Sequence, residues 1–461
     1  MSNEEIYNSL NEKEGLKLPS YIGIIPRSQE PIAFDAQNLE KLLRANKQFN
    51  VLNFEKSTEE GETNEQDSRL CFQTSIEYQD IEYHLSLSLC ELKNISLESF
   101  SFANTIDEES LNIASSQPLY IETEMLFDED PMTSFLFQLK VLNTLVPSAS
   151  LVIDFSSMRL LSPYWLEMTV KSDTPPSPNY LYIIHAVYEG EHENDMQYWM
   201  HTHGLHRCGS MELELVNIKS GPNQMYDLIN AAANQFVMEH FLENESFQIG
   251  YDGLGINLCW LRWEEALKEF PENILGGQKD RTEEDGSYNV HSEPSGILFA
   301  LEEKNYVSPE LYVSTLTDNP IYYIRTDETL RMSALATERF HMFQEIYDKY
   351  MPQEVARKSF LGKFFKKKGE EPQWSFLVKL GLAVDNAKDN TEKEHLWYEV
   401  QSIDGDDVTG KLLNEPYWIN GLKKDDVKTY SLKHFLTDWI IYGPEESYTP
   451  DSIYKLFCVR E

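Results

Sequence analysis

Cysteine is scarce in this sequence and is never arranged in pairs. The 461 residues contain five cysteines, an odd number, and no two of them have C-x-x-C spacing. Disulfide frameworks are typical of short secreted chains with an even number of cysteines. The cysteine pattern therefore argues against a disulfide-stabilised fold and favours a reducing compartment.

Long apolar runs are also missing. Runs such as 181–187, which His185 interrupts, are far shorter than the roughly 20 residues that cross a bilayer. The segment 1–6 is acidic and does not begin the basic-then-apolar pattern of a secretory signal. We therefore expect a cytoplasmic protein without integral membrane association.

Basic residues are heavily outnumbered. The chain has 39 Lys and Arg residues against 77 Asp and Glu residues, which gives a formal net charge of −38. Such a field repels nucleic-acid phosphates and attracts basic proteins. We therefore expect no nucleic-acid partner. The charge serves either to engage a basic protein or only to maintain solubility, and composition does not separate these alternatives.

The common catalytic signatures are absent. The sequence contains no G-x-S-x-G elbow, no phosphate-binding loop and no H-E-x-x-H motif. The segment 250–255, Gly-Tyr-Asp-Gly-Leu-Gly, lacks the G-x-G-x-x-G register and predicts only a tight turn. No enzymatic template is therefore present.

One stretch, 199–209, is dense in groups that bind metals. Its sequence, Trp-Met-His-Thr-His-Gly-Leu-His-Arg-Cys-Gly, holds three of the eleven histidines and one cysteine. In an extended segment His201 and His203 share a face, and Gly204 lets the chain turn to bring in a third ligand. The sequence predicts either a zinc-type divalent metal site or histidines that hydrogen-bond beside Trp199; no other cofactor is expected. The candidate ligands are His201, His203, His206 and Cys208.

Periodicity predicts an α+β protein with two α+β units before a connector. Residues 1–110 form the first unit, with a helix at 38–45 capped by Asp35 and a hairpin of 70–77 with 81–89. Residues 111–305 form the second unit. In it Asp130 and Pro131 begin a helix, 223–241 forms another helix, and the predicted strands are 151–155, 181–188, 211–216, 256–263 and 296–301.

The remainder predicts a helical, basic connector at 306–370 and a small β-rich domain at 371–461. The connector has a helical pattern at 326–350 and six basic residues in 357–368, which dock either on the protein's own acidic surface or on a membrane surface. Short strands between turn signals suggest a bent sheet or barrel in the last domain.

Four of the eight tryptophans fall in this last domain. They either fill the core of a small fold or form a ligand-binding surface. The candidate binding residues are Trp397, Trp418 and Trp439.

Two parts of the chain resemble known families. The segments 394–400, 410–416 and 422–427, with Asp438 and Trp439 downstream, resemble a small bacterial domain family of unknown function. The segments 199–204 and 211–214 resemble a second uncharacterised family that often precedes the first. The resemblance implies an architecture and assigns no role to any residue.

Two functions from different classes follow. The first is a soluble, non-enzymatic binding or accessory protein, such as an immunity-type factor, whose acidic surface engages a basic protein. The alternative is a metal-dependent hydrolase centred on His201 and His203. Neither the pathway nor the oligomeric state follows from the sequence.

Overall fold

A computed structural model describes residues 3–10, 17–28, 34–57, 70–192, 195–250, 255–282, 289–318, 326–351, 374–385 and 393–458. These residues form helices and mixed sheets, so the α+β prediction is confirmed. The chain divides into two compact units, one made of 1–170 and 175–323 and the other of 171–174 and 324–461. No helix among the described residues is long and apolar enough to cross a membrane. The basic segment 357–368 and most of the predicted turn at 250–255 lie outside the described residues.

The first sheet of the larger unit has eight strands in the order β2-β3-β4-β6-β1-β7-β8-β5. Its strands are β1 Ser20–Pro26, β2 Asn50–Lys56, β3 Cys71–Tyr78, β4 Ile81–Glu91, β5 Ser101–Phe102, β6 Leu119–Met125, β7 Ala149–Asp154 and β8 Arg159–Leu161. All neighbours are antiparallel except β5 and β8. Strand β6 comes after residue 110 in the chain, yet it lies between β4 and β1 in this sheet. The sheet therefore contains residues from both sides of the domain boundary predicted at residue 110.

The first described helix, α1 Asn3–Leu10, lies against the segment that enters the second sheet, where the Tyr7 hydroxyl donates to the Ser295 carbonyl at 3.0 Å. The helices that accompany the first sheet are α2 Ala36–Ala45, α3 Glu108–Ser115, α4 Pro131–Leu145 and α5 Pro163–Val170. The Asp130 carboxylate accepts hydrogen bonds from the first-turn amides of α4, as the sequence predicts. This helix packs against β1 and β6 and is buried along most of its length. The side-chain nitrogen of its buried Gln138 donates to the carbonyls of Ser20 and Thr123 at 3.0 and 3.2 Å, which ties the helix to β1 and β6.

The predicted hairpin of β3 and β4 is confirmed. Tyr78 pairs with Ile81 next to the turn, and the pairing continues along both strands. The two residues of the turn, Gln79 and Asp80, both have positive φ. This is the turn geometry that matches the right-handed twist of paired strands.

The second sheet of the larger unit has the order β12-β13-β14-β11-β10-β9, with β15 paired to β14. Its strands are β9 Ile183–Glu189, β10 Gln197–His203, β11 Glu212–Ile218, β12 Phe247–Ile249, β13 Ile256–Arg262, β14 Ser295–Glu302 and β15 Asn305–Val307. Only β11 and β14 are parallel. The accompanying helices are α6 Pro222–Met238, α7 Trp263–Ala266 and α8 Val313–Asp318.

Arg207 joins the two sheets. It lies in a short 3-10 turn, Leu205–Cys208, between β10 and β11, and is buried. Its guanidinium donates to both carboxylate oxygens of Asp154 in β7, at 3.0 and 2.7 Å, and to the Leu181 carbonyl at 2.7 Å. Removing one partner of such a buried pair typically costs about 3–5 kcal/mol. The connection between β10 and β11 is therefore fixed against the first sheet.

The smaller unit contains one antiparallel sheet in the order β19-β18-β17-β16-β20-β21. Its strands are β16 Ser375–Ala383, β17 Lys393–Asp404, β18 Asp407–Leu412, β19 Val427–Ser431, β20 Leu436–Tyr442 and β21 Ser447–Tyr448. Its helices are α9 Thr326–Glu338, α10 Phe340–Tyr350, α11 Leu432–Phe435 and α12 Lys455–Cys458.

Helices α9 and α10 are part of this unit rather than of a separate connector. The indole Nε1 of Trp439 donates to the Ala336 carbonyl at 3.0 Å, and the Phe343 ring lies 5.3 Å from the Trp439 ring. The Tyr347 hydroxyl donates to the Gln401 carbonyl at 3.0 Å. The predicted boundary at 370 therefore differs from the structure, because the apolar side of these helices completes the core of the sheet.

A buried carboxyl in this unit yields a pH prediction. Asp438 is 6% exposed, and burial raises its pKa to about 6 although the Trp439 amide opposes the shift. The folded state therefore holds the proton more tightly than the unfolded state. Stability should fall by about 3 kcal/mol in total as the pH rises from about 3, below the unfolded pKa, to about 7, above the folded pKa, and should stay low at higher pH.

We expect Asp438→Asn to remove this dependence, because a neutral amide replaces the carboxyl. The gain in unfolding free energy over the natural protein should be larger at pH 8 than at pH 4, measured by urea denaturation. Asp404→Asn, at an exposed position, is the control. A gain that is the same at both pH values would contradict the prediction.

Candidate metal centre

Strand pairing gathers three histidines on one face of the second sheet. His201 and His203 are two residues apart on β10, and His185 on β9 lies directly opposite His201. One ligand atom from each of the three imidazoles lies within 4.8 Å of the others. The structure thus brings two of the predicted ligands together with a histidine that sequence reasoning missed. The signal for His185 was its interruption of an apolar strand.

The ring geometry matches that of ligands around one ion. The ring centroids are 5.0 Å apart for His201 and His203, 5.2 Å for His185 and His203, and 5.5 Å for His185 and His201. With metal–nitrogen distances of about 2.0–2.1 Å and tetrahedral angles, two imidazole centroids lie roughly 5 Å apart. The three rings are therefore spaced for coordination with little movement.

His201 also carries a polar atom that lacks a partner. It is only 4% exposed and lines a small cavity of about 30 Å³ together with His203, Glu212 and Glu214. Its Nδ1 has no hydrogen-bond partner among the described residues. A buried polar atom in this state typically costs about 1–3 kcal/mol. Coordination of an ion through Nδ1 would give this atom the partner that it lacks, whereas coordination through Nε2 would leave it unpaired.

Burial keeps the cluster uncharged. It lowers the pKa of His201 to about 2 and that of His185 to about 4, and the neighbouring His203 adds to both shifts. Burial also lowers the pKa of His203. Neutral imidazole is the form that binds a metal, so at neutral pH the cluster needs no proton release before coordination.

Glu214 of β11 holds the aromatic wall of the cavity. Its carboxylate accepts from Trp199 Nε1 at 2.6 Å, from Arg281 at 2.9 and 2.6 Å, and from the Ser295 hydroxyl. Burial alone would raise the pKa of Glu214, but the Arg281 guanidinium lowers it to about 2. The Trp199 ring, so fixed, lies 4.6 Å from the His201 ring.

Glu212 holds the turn that follows β10. Its carboxylate accepts from the Thr202 hydroxyl at 2.6 Å and from the amides of Gly204 and His206 at 2.7 and 3.2 Å. Gly204 has φ +117°, and a Cβ there would lie 2.3 Å from the Leu181 carbonyl oxygen. Only glycine fits this turn. Glu212 and Glu214, which are two residues apart on β11, therefore both use their carboxylates to hold the framework of the site.

The turn carries the other two predicted ligands away from the cluster. His206 lines the cavity, but its Nε2 lies 3.1 Å from the Pro294 carbonyl oxygen. Cys208 is buried, and burial raises the pKa of its thiol to about 12, which disfavours the thiolate that binds metals. Among the described residues, neither belongs to the group whose ligand atoms lie within 4.8 Å.

The candidate tryptophans have three different environments. Trp439 is fully buried, whereas Trp397 is half-buried with the Lys379 ammonium 5.4 Å from its ring centroid. Trp418 is 64% exposed, and its amide and that of Tyr417 donate to the buried Glu394 carboxylate. Trp439 thus serves the core, and Trp418 is the one of the three that presents its ring to solvent.

Comparison with protein families accounts for most of the chain. Residues 20–176 match the family model described as Protein of unknown function (DUF4026) N-terminal, and 184–299 match its C-terminal counterpart. Residues 353–454 match Uncharacterized protein conserved in bacteria (DUF2314). The three matches agree with the two-part uncharacterised bacterial family that the sequence resembles. The resemblance found in the sequence is thereby confirmed, and all three clustered histidines lie in the second DUF4026 match. No curated protein and no solved structure matches the chain.

The tryptophan environments predict different costs of truncation. Trp439→Ala should lower the unfolding free energy by roughly 3–5 kcal/mol, because it empties a large buried site. Trp418→Ala should change it by less than about 0.5 kcal/mol, because the ring is already in water. Urea denaturation of both variants tests this, and similar losses in the two would contradict the burial assignment.

Proposed function

We propose that the protein binds a divalent transition-metal ion of the zinc type through His185, His201 and His203. The observation that carries the proposal is the convergence of their three ligand atoms within 4.8 Å of one another. Each histidine comes from a paired strand, so the ligands are positioned before the ion arrives. Preorganisation of this kind reduces the entropy lost on binding.

The ligand chemistry supports a transition metal over a hard cation. Imidazole nitrogen suits zinc, copper and nickel, whereas calcium and magnesium take oxygen ligands. Three ring centroids 5.0–5.5 Å apart favour the tetrahedral arrangement that zinc prefers. Zinc is therefore the ion with which the proposal is tested.

Binding without catalysis is the favoured form of this function. A metal-dependent hydrolase commonly uses a base for its water. Three glutamates line the cavity, and two of them, Glu212 and Glu214, are occupied by hydrogen bonds from the backbone and from Trp199 and Arg281. A cavity of about 30 Å³ has room for a water molecule and none for a substrate of ordinary size. A hydrolase centred on His201 and His203 is the alternative, and zinc-dependent hydrolysis of a model ester would favour it.

The charge supports a second proposal, an accessory role with a basic protein partner. The net charge is −38, and Glu55 and Glu124 line a groove of about 490 Å³ on the first sheet. An acidic surface accelerates encounter with a cationic protein and is screened by salt. Association rates with lysine-rich histone H1 across a salt series test this proposal. An on-rate that is independent of salt would contradict it.

Zinc titration by calorimetry tests the metal proposal. The natural protein should bind one zinc ion. His185→Ala, His201→Ala and His203→Ala should each weaken binding by more than the roughly 10- to 100-fold that loss of an outer-shell partner costs, because each removes a ligand. His206→Ala and Cys208→Ala are the matched controls from the same stretch and should bind within a few-fold of the natural protein. Zinc at 100 times its Kd should also raise the unfolding free energy by about 2.7 kcal/mol.

Two results would contradict the proposal. One is the absence of zinc binding by the folded natural protein. The other is a loss of affinity in Cys208→Ala or His206→Ala equal to that in the three ligand variants, which would place the ion elsewhere in the stretch.

A further inference from the structure

A fourth histidine approaches the cluster from a distant part of the chain. His291 lies in a short turn, Val290–Ser292, just before β14. Its Nε2 is 3.3 Å from Nε2 of His201, and its ring centroid is 4.7 Å from that of His201. It lines the same cavity as His201 and His203.

The separation of these two nitrogens matches the edge of a metal tetrahedron. With zinc–nitrogen distances of about 2.0–2.1 Å, two ligand nitrogens in a tetrahedral site are roughly 3.3–3.4 Å apart. The observed 3.3 Å between His201 and His291 lies in this range. Without an ion, the same contact is a hydrogen bond between two neutral imidazoles, in which one ring must donate.

His291 is held in place by contacts that do not involve the cluster. Its carbonyl accepts from Arg281 at 3.0 Å, and its amide donates to the Asn289 side chain at 2.9 Å. The neighbouring Ser292 carbonyl accepts from Asn3 at 2.8 Å. The Trp199 ring, 4.6 Å away, packs against the imidazole. The turn therefore presents His291 to the cavity as part of the same framework that holds His201.

We propose that His291 is the fourth ligand, so that the ion is held in a closed site of four imidazoles. This inference rests on the proposed metal-binding function. His291 lies outside the group whose ligand atoms are within 4.8 Å of one another, and its centroid is 6.1 Å from that of His203, so its side chain must move toward the other three on coordination. Closed four-ligand zinc sites are structural, whereas catalytic sites keep a position for water.

The closed site has a structural consequence. β14 pairs with β11 and β13 but not with β9 or β10. An ion bound by all four histidines would therefore cross-link the β9–β10 pair to the segment that enters β14. The site would then hold its ion as a structural clamp on the second sheet rather than activate water.

X-ray absorption spectroscopy of the zinc-loaded full chain counts the imidazoles directly. The natural protein should give four nitrogen ligands with four imidazole scattering patterns. His291→Ala should give three imidazoles and one oxygen from water, with an affinity lower by at least the roughly 10-fold that loss of an outer-shell partner costs, because it removes a ligand. His206→Ala, which removes another imidazole lining the cavity, should keep all four.

The outcomes separate the two proposals. Three imidazoles in the natural protein, unchanged in His291→Ala, would overturn the closed site and leave the three-histidine site standing. Failure of the folded natural protein to bind zinc would overturn both. If His291→Ala does not fold, His291→Asn is the second variant. Its side chain is polar but shorter than histidine, and it should show the same loss of one imidazole.

Discussion

The ion pair between Arg281 and Glu214 fixes both walls of the histidine cavity. Glu214 on β11 orients Trp199, which packs against His201, while Arg281 donates to the His291 carbonyl at 3.0 Å. Both side chains of the pair are almost fully buried, and Arg281 lies between the rings of Trp199 and Trp263. A buried charge that loses its partner typically costs about 3–5 kcal/mol, so this pair has one stable arrangement. The positions of His201 and His291 depend on that arrangement.

A second buried arginine fixes the same segment from the other side. Arg207 follows β10 and binds Asp154 of the first sheet through two hydrogen bonds. The stretch from Trp199 to Arg207 is therefore held at its start by Glu214 and at its end by Asp154. Rigid anchoring of this kind is what a metal site needs, because ligands that are already in place lose little entropy when the ion binds.

The local parts of this arrangement could be predicted from the sequence, and the non-local parts could not. Strand periodicity places His201 and His203 on one face, and the Asp130 cap and the Gln79–Asp80 turn are likewise local. His185 and His291 join the cluster through strand pairing and a distant turn, which no periodicity encodes. The alternation along 211–216 resembles a half-exposed strand, yet Glu212 and Glu214 are buried because other side chains and amides satisfy them. Helix α9 belongs to the smaller unit through similarly distant contacts, such as that of Ala336 with Trp439.

Zinc binding by the three histidines is tested most directly by anomalous diffraction at the zinc absorption edge from crystals of the full chain grown with zinc. A single strong peak should lie about 2.0–2.1 Å from one ring nitrogen each of His185, His201 and His203. A cluster without a peak, or a peak whose ligands exclude these histidines, would contradict it.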